Sequence, residues 1–548
     1  MKRKEKQRIR RFSALLLSLM LICAMSMTAF AADGSNTVAG ETENTTAATE
    51  TEGGQAVAAS THSYKAYQIF TGVYDPESKK LSNIDWGENA QNKEIQKAIA
   101  EALLGDKGAN ATLADILTAL GGADTETANK LAAVIASNKD ALGEGKPVQN
   151  GSSVDPGYYI LIDETTNIGE GDSRGFALLQ TLTGEITINE KRGTVSSDKK
   201  VKDVNDSNDG VNGAEGEWGT SADYDIDDDV PFVLTGTVAD NFDMFEKYEF
   251  TFHDTMSSGL TFNNDISVTY QLKGNDKKIP IGSGYYTVDY SEENGTLQIK
   301  FDDLKAEGLG VEAGSVIEVS YTAKLNDGAV IGSEGNENTM YLEYSNDPYT
   351  GGKGETPKTN VIVFTYKVGI NKVDQDNKPL EGAEFALYKI DKTYNGNDGE
   401  KNADGTMQNE LNGEKYNKKV KIYKIDDTKT KFSFEGIDDG KYLLVETKTP
   451  AGYNSIEPIA FTVTVDHSTG DLSLKGESVD PTTGEVLLAF TADENLGTLT
   501  RDVVNKSGSL LPSTGGIGTT MFYIIGGVLM VGACMMLFVR KIMTNEKR

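Results

Sequence analysis

The stretch NTMYLEYSN, residues 338–346, decides the fold class: Asn338, Met340, Leu342, Tyr344 and Asn346 share one parity, and Thr339, Tyr341 and Glu343 take the other. Apolar residues two apart mark a strand with one buried face. Outward from it, VPFVLTGTV (230–238), KYEFTFHDT (247–255) and SVIEVSYTAKL (315–325) repeat the pattern between turns rich in Gly, Asn and Asp. Residues 194–366 therefore read as a β-sandwich. The following region, 367–506, is also strand-rich, with YKVGINKV, AEFALYKI, KYLLVET, IAFTVTV and TRDVVN in order. It too reads as a sandwich, interrupted by a polar, poorly patterned insertion at 392–418.

Residues 61–193 have a different texture. HSYKAYQIFTGVY (62–74) is strand-like, 93–104 and 112–142 are helical in pattern, and GYYILIDE (157–164) and EITINEK (185–191) read as closing strands. The fold class is thus mainly β: tandem immunoglobulin-like sandwiches preceded by a mixed α/β domain, with one C-terminal transmembrane helix.

The ends carry targeting signals. A Lys/Arg cluster in residues 1–11, an apolar run over 12–30 and the small-residue site Ala29-Phe30-Ala31 predict a signal peptide over 1–31. Residues 32–60, poor in large apolar side chains, predict a disordered arm. At 521–539 an uncharged apolar run is followed by Arg540, Lys541, Lys547 and Arg548. This predicts a membrane span with a cytoplasmic basic tail.

Only two cysteines occur, Cys23 and Cys534, one in each membrane-directed segment, so the exported portion has no disulfide available. A formal net charge of −30 argues against a nucleic-acid partner and against anionic lipid. The three histidines, His62, His253 and His467, lack metal-ligand spacing, and no nucleophile elbow is present. No cofactor, metal or turnover chemistry is read from the chain, and these features argue against an anchored hydrolase.

Leu511, Pro512, Ser513, Thr514 and Gly515 stand just before the predicted span. Pentapeptide, span and basic tail in this order match the LPXTG sorting signal read by sortases. A sortase cysteine is expected to attack the Thr514 carbonyl and release the chain from Gly515 onward. The acyl-enzyme then passes to an amine, of peptidoglycan or of another copy.

GINKVDQDNKPLEGAEFALYK (369–389), KYLLVETKTPAGY (441–453) and RDVVN (501–505) resemble the collagen-adhesin B-type domains of Gram-positive surface proteins and pilins. That resemblance implies an intramolecular isopeptide bond between Lys372 and Asn505, assisted by Glu446. Parity agrees: Lys372 aligns with Val368 and Ile370, Glu446 with Leu444, and Asn505 with Val503, so all three point inward. A lysine so buried is expected to lose its proton, its pKa falling toward about 5 to 6, which frees the amine to attack the carboxamide. Glu446 is expected to polarise the amide carbonyl and shuttle protons.

SSDKKVKDVNDSNDG (196–210), DVPFVLTG (229–236), FTFHDTMSSGLTF (250–262) and GNENTMYLEYSN (335–346) resemble the isopeptide-forming fimbrial domain that precedes such a module in shaft pilins. Here the expected bond joins Lys199 to Asn338 with help from Asp254, and Asn346 is an alternative acceptor of the same parity. Lys65 and Glu164 share faces with apolar neighbours in the first domain. Its closing strand offers no inward Asn, so no bond is expected there.

In shaft pilins a lysine near the end of the first domain attacks the sortase-bound threonine of the next subunit. The corresponding candidate is Lys191, outward by parity, which would link to Thr514; the usual Tyr-Pro-Lys form is absent. The resemblance implies a fimbrial shaft subunit anchored through residues 507–548, with sortase, peptidoglycan and further copies of itself as partners. Minor pilins and a host or dietary ligand are further candidate partners. The alternative is a monomeric wall-anchored adhesin or minor pilin.

Overall fold

The structure, a computed structural model, describes residues 62–508 apart from 78–79, 176–177, 183, 187, 189–192, 206, 208–215, 350, 403–404 and 468–471. The signal peptide, arm, Lys191, pentapeptide and membrane span named above lie outside the described residues. The chain falls into two compact units. One holds the chain to Val204 and Gly210–Thr365; the other holds Tyr366–Asp466 and the chain from Leu472.

The first unit opens with an antiparallel sheet in the order Lys80–Trp86, Tyr64–Asp75, Gly157–Asp163, Leu178–Leu182, with Lys146–Val148 also paired to Tyr64–Asp75. Three helices pack on it: Lys93–Leu104, Leu113–Leu120 and Thr125–Ser137. Ile69, Ile95, Ile99, Ile116, Ile135 and Ile160 form their common core. Where the pattern predicted one helical stretch over 112–142, two helices occur. Gly121 and Gly122 end the first, and Asp124 caps the second by accepting from Thr127 N. Most of the predicted strand at 185–191 lies outside the described residues. Leu178–Leu182 is the partner of Gly157–Asp163, and Glu185 makes only an isolated bridge to Ser153.

The middle sandwich has two seven-stranded sheets. One carries Phe250–Met256 beside Asn336–Ser345; the other carries Val316–Leu325, Asp229–Thr237 and Ser197–Asp203 side by side. The alternation read from sequence appears as alternating burial: Ile317, Val319, Tyr321, Ala323 and Leu325 face the core, as do Val230, Phe232 and Leu234. Gly236 continues that inner face where a Cβ would stand only 2.9 Å from Phe250 and 3.0 Å from Leu342, so the two sheets close tightly there.

The second unit is a smaller sandwich. Tyr366–Asp374 lies parallel to Thr498–Asn505 in one sheet; Glu384–Lys389 pairs with Gly440–Lys448 in the other. The insertion at 392–418 is ordered: Glu410–Leu411 and Glu414–Lys415 form a small hairpin, and Asn409 is buried against the Tyr416 carbonyl. Side-chain amides in this insertion replace the hydrophobic periodicity that strand prediction relies on.

Candidate functional site: buried lysine, carboxyl and asparagine clusters

In the second unit, Lys372 and Asn505 are fully buried and Glu446 nearly so. The first and last strands place Lys372 beside Val503 and Asp374 beside Asn505, so the lysine and the asparagine project inward from adjacent strands. Glu446 comes from the facing sheet, and both its oxygens accept from Asn505 Nδ2, at 2.9 and 3.1 Å. The Lys372 amine donates to two backbone carbonyls, Val503 O at 2.9 Å and Val373 O at 3.0 Å. Burial lowers its pKa to about 8, with the Glu446 charge pulling the other way. The fall is smaller than expected from sequence because a carboxylate shares the core.

The middle sandwich repeats the composition with another geometry. Lys199 projects from Ser197–Asp203, and Asp254 and Asn338 project from neighbouring strands of the opposite sheet; all are buried. Lys199 Nζ donates to Asp254 Oδ1 at 2.5 Å and lies over the Phe232 ring, 5.4 Å from its centroid. Burial lowers this lysine to about 8 as well, opposed by Asp254. A fourth residue, Tyr321, was not singled out from sequence. Its hydroxyl donates to Asp254 Oδ2 (2.5 Å) and accepts from Asn338 Nδ2 (2.8 Å) and Lys199 Nζ (3.3 Å). Its inward parity was readable, but nothing local shows that Asp254 lies across the core from it.

Asn346 is not part of this cluster. It sits eight positions along the same strand direction from Asn338, roughly 27 Å at an extended rise. Its backbone bonds Gly352 and Arg174. The structure thus brings Asn338, and not Asn346, to Lys199 and Asp254.

In both clusters the asparagine is held by its nitrogen, while its carbonyl oxygen, Asn338 Oδ1 or Asn505 Oδ1, is buried without a hydrogen-bond partner. Glu446 meets Asn505 at the amide nitrogen, through both of its oxygens.

The first domain holds no such cluster among the described residues. Lys65 pairs with Glu164 at 3.0 Å but remains about a third exposed, and the Tyr67 hydroxyl also donates to Glu164. His62 is different: its ring is buried between Asp163, which bonds Nδ1, and Asp172, whose Oδ2 lies 3.0 Å from Nε2. Those carboxylates, the hydrogen bond from Asp163 foremost, raise its pKa to about 9. His62 is therefore an imidazolium at neutral pH.

Two domain families match the chain. Residues 226–348 match the Gram-positive pilin backbone subunit 2, Cna-B-like domain, and residues 366–478 match the SpaA prealbumin-like fold domain. In class the chain is mainly β, with one segment similar to a Gram-positive pilin backbone domain followed by one similar to a prealbumin-like fold domain. Lys199 and Asn505 lie outside the matched spans.

More particularly, one curated relative and several solved structures are similar to the chain. It is 27% identical over 348 residues to the trypsin-resistant surface T6 protein of Streptococcus pyogenes serotype M6, an alignment spanning 51% of this chain and 58% of that protein's length. It is also similar to two solved structures. The T6 backbone pilin of serotype M6 Streptococcus pyogenes matches with TM-score 0.47 and 18% identity, over 82% of this chain and 96% of that one. The major pilin SpaD of Corynebacterium diphtheriae matches with TM-score 0.41 and 17% identity, over 82% and 93%.

Proposed function

We propose that this protein is the shaft subunit of a Gram-positive pilus, stiffened by two internal amide bonds. The observation that carries the reading is the recurrence, in both sandwiches, of a buried lysine, a buried carboxyl group and a buried asparagine in a region without cysteine. Charged side chains are costly in an apolar interior unless they are paired or consumed. Attack of the Lys372 amine on Asn505, and of Lys199 on Asn338, replaces a lysine and a carboxamide with one neutral secondary amide and releases ammonia. Each domain reacts once, on itself, so the chain is a self-modifying structural protein and not an enzyme.

Export, cleavage near Ala31 and sortase transfer at Thr514 complete the reading. The Lys191 amine of one copy resolves the thioester of the next, and peptidoglycan ends the series. Immunoblots of cell-wall extracts test this. A ladder of large, detergent-resistant species is expected, and Lys191→Ala should collapse it to a single band. A single band from the unaltered protein would overturn the shaft reading in favour of a monomeric anchored adhesin. Intact mass of the exported portion should fall short of the sequence mass by two ammonia molecules.

A further inference from the structure

The acid of the middle sandwich does not touch the atom it has to protonate. Glu446 contacts Asn505 Nδ2 with both oxygens. Among the described residues no hydrogen bond joins Asp254 to Asn338; the Tyr321 hydroxyl stands between them, bonded to Asp254 Oδ2 and Asn338 Nδ2. Aspartate is one methylene shorter than glutamate, and a tyrosine hydroxyl, both donor and acceptor, spans the difference.

We infer that Tyr321 is a catalytic residue for the Lys199–Asn338 bond, carrying the proton from Asp254 to the departing amide nitrogen. The inference rests on the amide-forming reading proposed above. The steps balance as follows. Lys199 enters as an ammonium and gives one proton to the Asp254 carboxylate through the 2.5 Å contact. The free amine attacks Asn338 Cγ, forming the new C–N bond and a tetrahedral centre. Tyr321 passes its hydroxyl proton to Nδ2 and is reprotonated by Asp254. The carboxylate so regenerated takes the second proton from the attacking nitrogen. The Cγ–Nδ2 bond breaks, ammonia leaves, and a secondary amide remains beside a protonated Asp254.

This assignment separates the two domains chemically. Glu446 acts on its leaving nitrogen directly, whereas Asp254 acts through a phenol. Tyr321 is held for that task by stacking on Phe232, with ring centroids 5.4 Å apart, and by a T-shaped contact with Phe262 at 5.7 Å. Removing its hydroxyl leaves that packing in place.

The test is cell-free synthesis of the full chain, with the Lys199–Asn338 cross-linked peptide measured over time by mass spectrometry and the Lys372–Asn505 peptide as internal control. Tyr321→Phe is expected to slow the first link by about 10²-fold or more and to leave the second unchanged, the size of effect typical of lost proton transfer. Adding Asp254→Glu to Tyr321→Phe should restore the link, because the longer acid reaches Nδ2 as Glu446 does. Replacing Tyr321 by 3-fluorotyrosine keeps size and contacts but makes the phenol more acidic. It should change the rate severalfold, and it decides the matter should the Phe variant not fold. Unchanged rates in both the Phe and the fluorotyrosine proteins would overturn the role of Tyr321 while the bond itself stands. Absence of the Lys199–Asn338 link from the unaltered chain would instead remove the amide-forming reading and this inference with it.

Discussion

An ammonium group and an apolar core are poor neighbours, and both internal lysines show how the protein manages the conflict. Each sits near pH 8 in its proton affinity, lowered by burial and held from falling further by a carboxylate. Protonation blocks nucleophilic attack, so the rate of Lys372–Asn505 formation should climb about tenfold per pH unit up to about 8 and then level off. Timed synthesis at pH 6.5, 7.5 and 8.5 would read this directly, and a flat profile would count against the free amine as attacker. Glu446→Gln keeps the shape of the side chain but cannot shuttle a proton. That chain should fold yet fall short of its own sequence mass by only one ammonia, where the unaltered chain falls short by two, as read by intact mass.

Elements differ in how plainly they could be read in advance. Strict alternation in Tyr366–Asp374 and Asn336–Ser345 was enough to send Lys372 and Asn338 inward, because a strand's two faces leave no third choice. Parity could not say which inward groups meet across a sandwich, and so Tyr321 escaped notice. It also left Asn338 and Asn346 equivalent until the strand's position along the sheet was known. The strand Leu178–Leu182 and the break between Leu113–Leu120 and Thr125–Ser137 were missed in the same way: local pattern competes with pairing it cannot see.

The His62 clamp was least legible, because its partners lie 101 and 110 residues away. It joins the first strand to the segment at 171–174, which bonds onward to the middle sandwich: Gly171 N donates to Glu355 O and Arg174 N to Asn346 O, both at 2.8 Å. The folded pKa of about 9 exceeds the ordinary value of 6.5, so its stabilisation is complete below about pH 6.5 and is lost as pH rises through 9. The effect is on the order of 2 kcal/mol. The difference in thermal melting between the unaltered protein and His62→Ala should therefore shrink between pH 7 and pH 10. A constant difference would mean that the histidine contributes packing alone.

Across the whole molecule, the amide bonds proposed above would take the place that sulfur bridges hold in other exported proteins. By analogy with a cross-link closing a loop of about 100 residues, each would contribute up to about 5 kcal/mol. Lys199→Met together with Lys372→Met removes both links while keeping apolar volume. Trypsin should then digest residues 194–506 under conditions that leave the unaltered region intact, whereas the first domain, for which no such link is proposed, should be cut at the same rate in both proteins. Equal resistance of the two regions would show that packing, not covalent closure, sets durability.

Lys372 lies on the opening strand of its domain and Asn505 on the closing strand, next to each other and running the same way. Tension entering at one end of that domain would cross to the other through a single side-chain linkage, bypassing the 132 residues in between. Those residues, the insertion at 392–418 among them, would carry almost no mechanical load. With the proposed bond in place, they would be free to vary in sequence without weakening that load path.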